Sequence, residues 1–185
     1  MRTALDVLYR LAQALAATCL VAIAGLVVLQ VLFRIVDGAR KAFGLDPVGL
    51  LVPSLAEICG FLLVGASFLA LAATLRRGDH IRVSLMLQHM PAGLARIFEV
   101  WCLLVAVSLA AYFTWYSGGQ AYDSYKYNEV SIGIIPIPLV WPQIVMTLGL
   151  VVFTIALLDD LVTALSGRKP SYELAVKGEA WEGGE

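Results

Sequence analysis

The chain has 185 residues, of which 60% are hydrophobic and 15% charged, and its mean hydropathy is +0.83. Soluble domains run at roughly 45–50% apolar and about 25% charged residues, because a small globule needs polar side chains to face water, so a soluble globule is excluded. A formal charge of −1 and a pI near 6.1 lack the basic surplus of a nucleic-acid binder, so no nucleic acid is expected and membrane lipid is.

Four apolar runs follow one another: Leu11 to Phe33, Leu50 to Leu75, Ile97 to Tyr116 and Ile137 to Leu158. A hydrocarbon core ~30 Å thick is crossed by about 20 helical residues, and each run is long enough. Backbone groups in lipid must pair within their own segment, and the alternation of a membrane barrel is absent. The expected fold is all-α, an integral membrane bundle of four transmembrane helices. Its spans fall at about 11–33, 52–75, 97–116 and 137–158 of a domain over 1–167, with a disordered cytoplasmic tail expected over 168–185. The first run is too long for a signal h-region of ~7–15 residues, and Ala16-Ala17-Thr18-Cys19 has Thr where a lipoprotein cleavage box needs Gly or Ala. Nine Lys and Arg residues lie on the side of the termini and the second loop, against four on the other side, so both termini are expected in the cytoplasm.

Charges near the spans have simple structural readings. Arg34 can extend to the interface. After Pro53, Ser54-Leu55-Ala56-Glu57 reads as a capping box, in which both side chains satisfy free N–H groups of the second span's first turn. Residues 76–96 are basic. Within them, 81–90 reads as a short interfacial amphipathic helix between spans 2 and 3, with Val83, Met86, Leu87 and Met90 on one face and Pro91 as its stop. Glu99 can pair with Arg96 at i,i+3. The outer loop expected from Ser117 to Pro138 carries Tyr122, Tyr125, Tyr127 and Glu129, then an apolar Pro-rich rim that includes Pro136. Tyrosines at this level anchor helix ends, and they also suit a docking surface. Asp159 and Asp160 mark the inner end of the fourth span.

Chemistry has few candidates. Cys19, Cys59 and Cys102 lie inside apolar runs and form no C-x-x-C pair. His80 and His89 share one segment, which does not suit a haem held across a bundle, and no P-loop, Ser/His/Asp set or nucleotide fingerprint occurs. No enzyme, cofactor or metal is expected. Solute carriers place polar groups and broken helices near mid-membrane, and here polar groups gather at the span ends.

Three stretches carry a resemblance. Ser54-Leu55-Ala56-Glu57 with Phe61-Leu62-Leu63-Val64-Gly65-Ala66-Ser67 is the first. Leu75-Arg76-Arg77-Gly78-Asp79-His80-Ile81-Arg82-Val83 is the second and most specific. The third is Glu129-Val130-Ser131 with Ile137-Pro138-Leu139-Val140-Trp141-Pro142-Gln143 and Leu148-Gly149. Together they resemble the small, four-helix, Q-type (DctQ-like) subunit of TRAP (tripartite ATP-independent periplasmic) transporters. This chain differs by having Leu55-Ala56 where a Glu is common before Glu57, and Thr147 where Pro is common before Leu-Gly.

The resemblance implies a division of labour. A periplasmic solute-binding protein captures a carboxylate-bearing solute, and a large permease subunit carries it with sodium in an elevator movement. The small subunit scaffolds the large one in the bacterial inner membrane and helps form the docking surface. Glu57, Gly65, Arg76, Arg77, Gly78, His80, Arg82, Trp141, Pro142 and Gly149 are then the motif and interface candidates. Tyr122, Tyr125, Tyr127, Glu129 and Pro136 are the docking candidates. The alternative is a self-sufficient, homo-oligomeric small transporter with Glu57 or Glu99 as its coupling carboxylate.

Overall fold

The computed structural model describes residues 2–77 and 92–166. Among these residues there are four helices: α1 (Arg2–Ala42), α2 (Leu55–Arg77), α3 (Ala92–Tyr127) and α4 (Val140–Leu165). All four are long and apolar enough to cross a bilayer. The interfacial helix expected over 81–90 and the tail over 168–185 lie outside the described residues.

Two helices are much longer than their apolar runs. At about 1.5 Å per residue, the 41 residues of α1 reach about 61 Å and the 36 residues of α3 about 54 Å, against a ~30 Å hydrocarbon core. The outer loop expected from Ser117 is therefore corrected: the chain stays helical to Tyr127. Gly118 and Gly119 do not break it, because no proline interrupts the segment and Gly118 packs toward Thr147 of α4. Packing there outweighs the roughly 1 kcal/mol that a mid-helix glycine costs.

Both long helices stop the same way. Asn128 adopts φ +50°, and the Glu129 N–H donates to the Ser124 carbonyl at 3.0 Å. Gly44 adopts φ +71°, with Leu45 N–H donating to Arg40 O at 2.9 Å and Gly44 N–H to Lys41 O at 3.1 Å. These are left-handed C-caps that satisfy the last carbonyls of a helix. Each is followed by a return to the next helix, over 43–54 and 128–139, twelve residues in both cases.

The helices pack in the order α1, α2, α4, α3: α1 on α2, α2 on α4, α4 on α3, with a slight contact of α1 with α4. Thus two antiparallel hairpins are joined along their second helices, which run parallel. α2 and α3 flank α4 and leave a groove lined by Phe68, Phe113, Tyr116, Met146 and Leu150. Both connecting loops lie at one end, called here the loop end.

The α2/α4 seam is the closest approach. A Cβ on Gly149 would lie 2.6 Å from the Phe68 carbonyl carbon and 2.9 Å from the Leu69 nitrogen. One on Gly65 would lie 3.2 Å from Val145 Cγ1 and 3.7 Å from Cys19 Sγ. Small residues let backbones meet, which matters in lipid because apolar burial alone does not drive helices together. Ala72 and Leu75 of α2 are buried in one cluster with Ala156 and Leu157 of α4. Replacing Gly149 by Ala forces Cβ against backbone that cannot turn aside, an overpacking cost of about 1–3 kcal/mol. Thermal melting of the detergent-purified protein should show G149A several degrees below the parent. G60A, whose Cβ meets nothing within 4 Å, should not fall.

Candidate functional site

The loop end is where most of the motif and docking candidates meet. The 128–139 return is a small closed hairpin. Val130 and Pro138 form an antiparallel bridge, Ser131 N–H donates to Ile137 O at 2.9 Å, and Leu139 N–H donates to Glu129 O at 3.0 Å. Ser131 Oγ accepts the Ile137 N–H at 3.1 Å. The enclosed tip displays Ile132 fully exposed, Ile134 at 80% and Pro136 exposed.

The start of α2 holds this tip. Ser54 Oγ accepts the Ile135 N–H at 2.9 Å across 81 positions of sequence. Gly133 lies directly on the Glu57 carboxylate, and a Cβ there would collide with Glu57 Oε2 and reach within 2.9 Å of Ser54 Oγ. The expected capping box is thereby corrected. Ser54 takes φ +53°, outside the extended geometry of an N-cap, and its carbonyl rather than its hydroxyl accepts the N–H groups of Glu57 and Ile58, both at 3.0 Å. The hydroxyl is used for the hairpin instead. Glu57 Oε2 and Gln143 Oε1 are buried acceptors without a hydrogen-bond donor among the described residues. A non-glycine residue at positive φ is costly, and such strain concentrates at working sites.

The tyrosines stand beside the clasp on the last turns of α3, not on a loop. Tyr122, Tyr125 and Tyr127 are all exposed, with the Lys126 ammonium 5.3 Å from the Tyr127 ring centroid. Glu129 accepts the Ser124 hydroxyl at 2.6 Å, and Ser124, 1% exposed, is thereby tied to the start of the hairpin. Trp141 is exposed on the first turn of α4, where Pro142 fits because N–H groups there need no helical partner.

The other motif candidates are dispersed. Gly65 and Gly149 sit in the α2/α4 seam, and Arg76 and Arg77 are the last residues of α2. Gly78, His80 and Arg82 lie outside the described residues. At this opposite end Arg96 donates from Nη2 to Ala164 O at 3.4 Å and Leu165 O at 3.3 Å, a cation on the final carbonyls of α4. Asp160, read as a boundary residue, is 2% exposed.

Within the spans, hydroxyls of α3 and α4 pair with each other. Thr114 and Thr154 pair at 3.1 Å and Ser117 and Thr147 at 2.6 Å across α3 and α4. Thr147 also donates to the carbonyl four residues back, as do Thr18 and Ser108, and of Thr114 and Thr154 one donates to its own such carbonyl while the other donates across the pair. Thr147, which stands where proline is common, therefore ties α4 to α3. Among the described residues no group of three His, Cys, Asp or Glu side chains could hold a metal.

Residues 23–167 match the family described as "Tripartite ATP-independent periplasmic transporters, DctQ component". The chain belongs to the DctQ family. It is a small membrane component of a TRAP transporter, a multi-pass helical protein of a transport system. No curated protein matches it. Membership implies a large permease subunit and a solute-binding protein as partners. In this DctQ chain, Ser54→Ala should free the hairpin tip, and Gly133→Ala should displace it. Hydrogen exchange by mass spectrometry should show faster exchange over 131–137 in both variants, with the α2/α4 seam unchanged.

Proposed function

We propose that this DctQ chain is a fixed scaffold beside the large permease subunit, and that its loop end forms part of the platform on which the periplasmic solute-binding protein docks. The system takes up a carboxylate-bearing solute with sodium, across the bacterial inner membrane, with both termini of this chain in the cytoplasm. The sidedness rests on the lysine and arginine bias. Arg76, Arg77 and Arg82 would then meet anionic headgroups on the cytoplasmic side and resist tilting.

The observation that carries the scaffold reading is the pairing of serine and threonine hydroxyls between α3 and α4. A solute path needs polar atoms free to bind, and the span hydroxyls of α3 and α4 are committed to each other and to their own helices. Glu57, the carboxylate nearest a span interior at the loop end, stands in the first turn of α2 against Gly133. That placement suits a clasp for the hairpin. The docking reading is supported by composition. Exposed tyrosines interleaved with Asp123, Lys126 and Glu129 resemble a surface that must be wet when the soluble partner leaves.

The test uses the complex reconstituted in proteoliposomes with its binding protein. Tyr125→Ala with Tyr127→Ala should leave the large subunit co-purifying with this chain while weakening binding-protein docking by tenfold or more, since interface tyrosines are worth ~2 kcal/mol or above at hot spots. Unchanged docking and uptake would remove the tyrosines from the platform.

A further inference from the structure

The apolar belt of this chain is slanted. Contacts between the helices fix which residues share a height. A Cβ on Gly65 of α2 would lie 3.7 Å from Cys19 Sγ of α1 and 3.2 Å from Val145 Cγ1 of α4, and Thr147 Oγ1 of α4 lies 2.6 Å from Ser117 Oγ of the antiparallel α3. Cys19, Gly65, Val145 and Gly119 therefore stand at one level. The apolar runs are not centred on that level together. Their midpoints fall near Ala22 in α1, Gly65 in the helical run 55–75 of α2, Thr147 in α4 and Val107 in α3. At about 1.5 Å per residue, the α1 midpoint lies about 4 Å toward the loop end, the α4 midpoint about 3 Å away from it and the α3 midpoint about 18 Å away from it. The displacement grows in the order of the packed row, α1, α2, α4, α3.

An upright row would leave both ends of α3 in the wrong solvent. With the bilayer centred on Gly65, the exposed Gln120, Asp123 and Lys126 would stand about 1 to 11 Å from the midplane, inside a hydrocarbon layer ~15 Å thick per leaflet. Charged side chains at that depth are costly. On the other side, the exposed Ile97, Phe98, Trp101 and Leu104 would stand about 22 to 33 Å from the midplane, in water. A partner protein over the polar end would answer the first conflict and leave the second. One rotation of the row answers both.

We infer that the chain sits in the bilayer at a fixed tilt of about 30° in the plane of its helix row, with the α3 side raised at the loop end. Neighbouring helices stand about 8–10 Å apart, so this rotation raises α3 by about 10 Å and lowers α1 by about 5 Å relative to α2. Asp123 then reaches about 16 Å and Lys126 about 20 Å from the midplane, clear of the hydrocarbon, while Leu104 enters it. Trp101 comes to the opposite interface, where tryptophan is favoured, and Arg34 of α1 settles at about 17 Å, within reach of headgroups. The helix lengths agree, because tilting accommodates a helix longer than the bilayer is thick, and α1 and α3 have 41 and 36 residues. Seated in this way, the end of α3 that bears Tyr122, Tyr125 and Tyr127 stands about 10 Å higher than in an upright row, a raised edge for the docking proposed above. That last consequence rests on the proposed function; the tilt does not.

The experiment is spin-label depth measurement on the full chain in lipid nanodiscs, in a background with Cys19, Cys59 and Cys102 replaced by Ala. Nitroxides are placed singly at Asp123→Cys and Leu104→Cys, both exposed positions of α3 that tolerate a label. In the tilted seat, collision with lipid-soluble oxygen should exceed collision with a water-soluble nickel chelate several-fold at position 104, and the ratio should invert at position 123. Lys126→Cys and Leu109→Cys repeat the test if either first variant fails to fold, with 109 the deeper of the two. The opposite pattern, 123 in hydrocarbon and 104 in water, is the upright seat and would overturn the inference. Labels shielded from both reagents at both positions would overturn it too, because protein rather than tilt would then account for the two ends of α3.

Discussion

The architecture depends on one close approach, the peptide of Phe68 and Leu69 against Gly149 at the crossing of α2 and α4. In water, helices can be driven together by burying apolar surface; in lipid, that term largely vanishes and dispersion contact and hydrogen bonding must suffice. A crossing in which backbone meets backbone maximises such contact per residue. Because α1 leans on α2 and α3 on α4, this crossing joins the chain's two helical hairpins. Few contacts elsewhere would hold the halves together if it opened.

From that joint the rest of the molecule follows. Two hairpins fused along parallel second helices leave their first helices at the outside of the row, with one face each unpartnered. Both first helices overshoot the bundle, both end in a left-handed C-cap, and both return over twelve residues. The returns differ in use. The first is stitched back onto α1 by Asp37 and Gln30, making a stiff apolar arm. The second closes on itself and is held by Ser54 and Glu57, so the start of α2 fixes the position of a surface formed between α3 and α4. The two hairpins are thus coupled through α2, the helix at the joint.

Much of this was legible in the sequence because lipid imposes a simple rule: apolar runs of about 20 residues must be helices. Gly65 and Gly149, singled out from motifs, both fall in the central seam. Residues 117–127 were misread as loop, since a polar, tyrosine-rich segment with two glycines satisfies loop composition while remaining free to be helical. The Ser54 and Glu57 spacing fits a capping box equally well, and only the return of residue 135 across 81 positions redirects the hydroxyl. Gly133 carried no sequence signal at all. Its close neighbours are the Glu57 carboxylate and the Ser54 hydroxyl, far away in sequence at the start of α2. Long-range contacts of this kind have no local pattern.

The central claim is that this chain supports solute movement without providing its path. Sodium-gradient-driven uptake of a candidate carboxylate solute measures it directly, in proteoliposomes with binding protein and either this chain alone or this chain with the large subunit. The account predicts no uptake above empty vesicles for the chain alone and robust uptake once the large subunit is present. Gradient-driven uptake by the purified chain alone would contradict it.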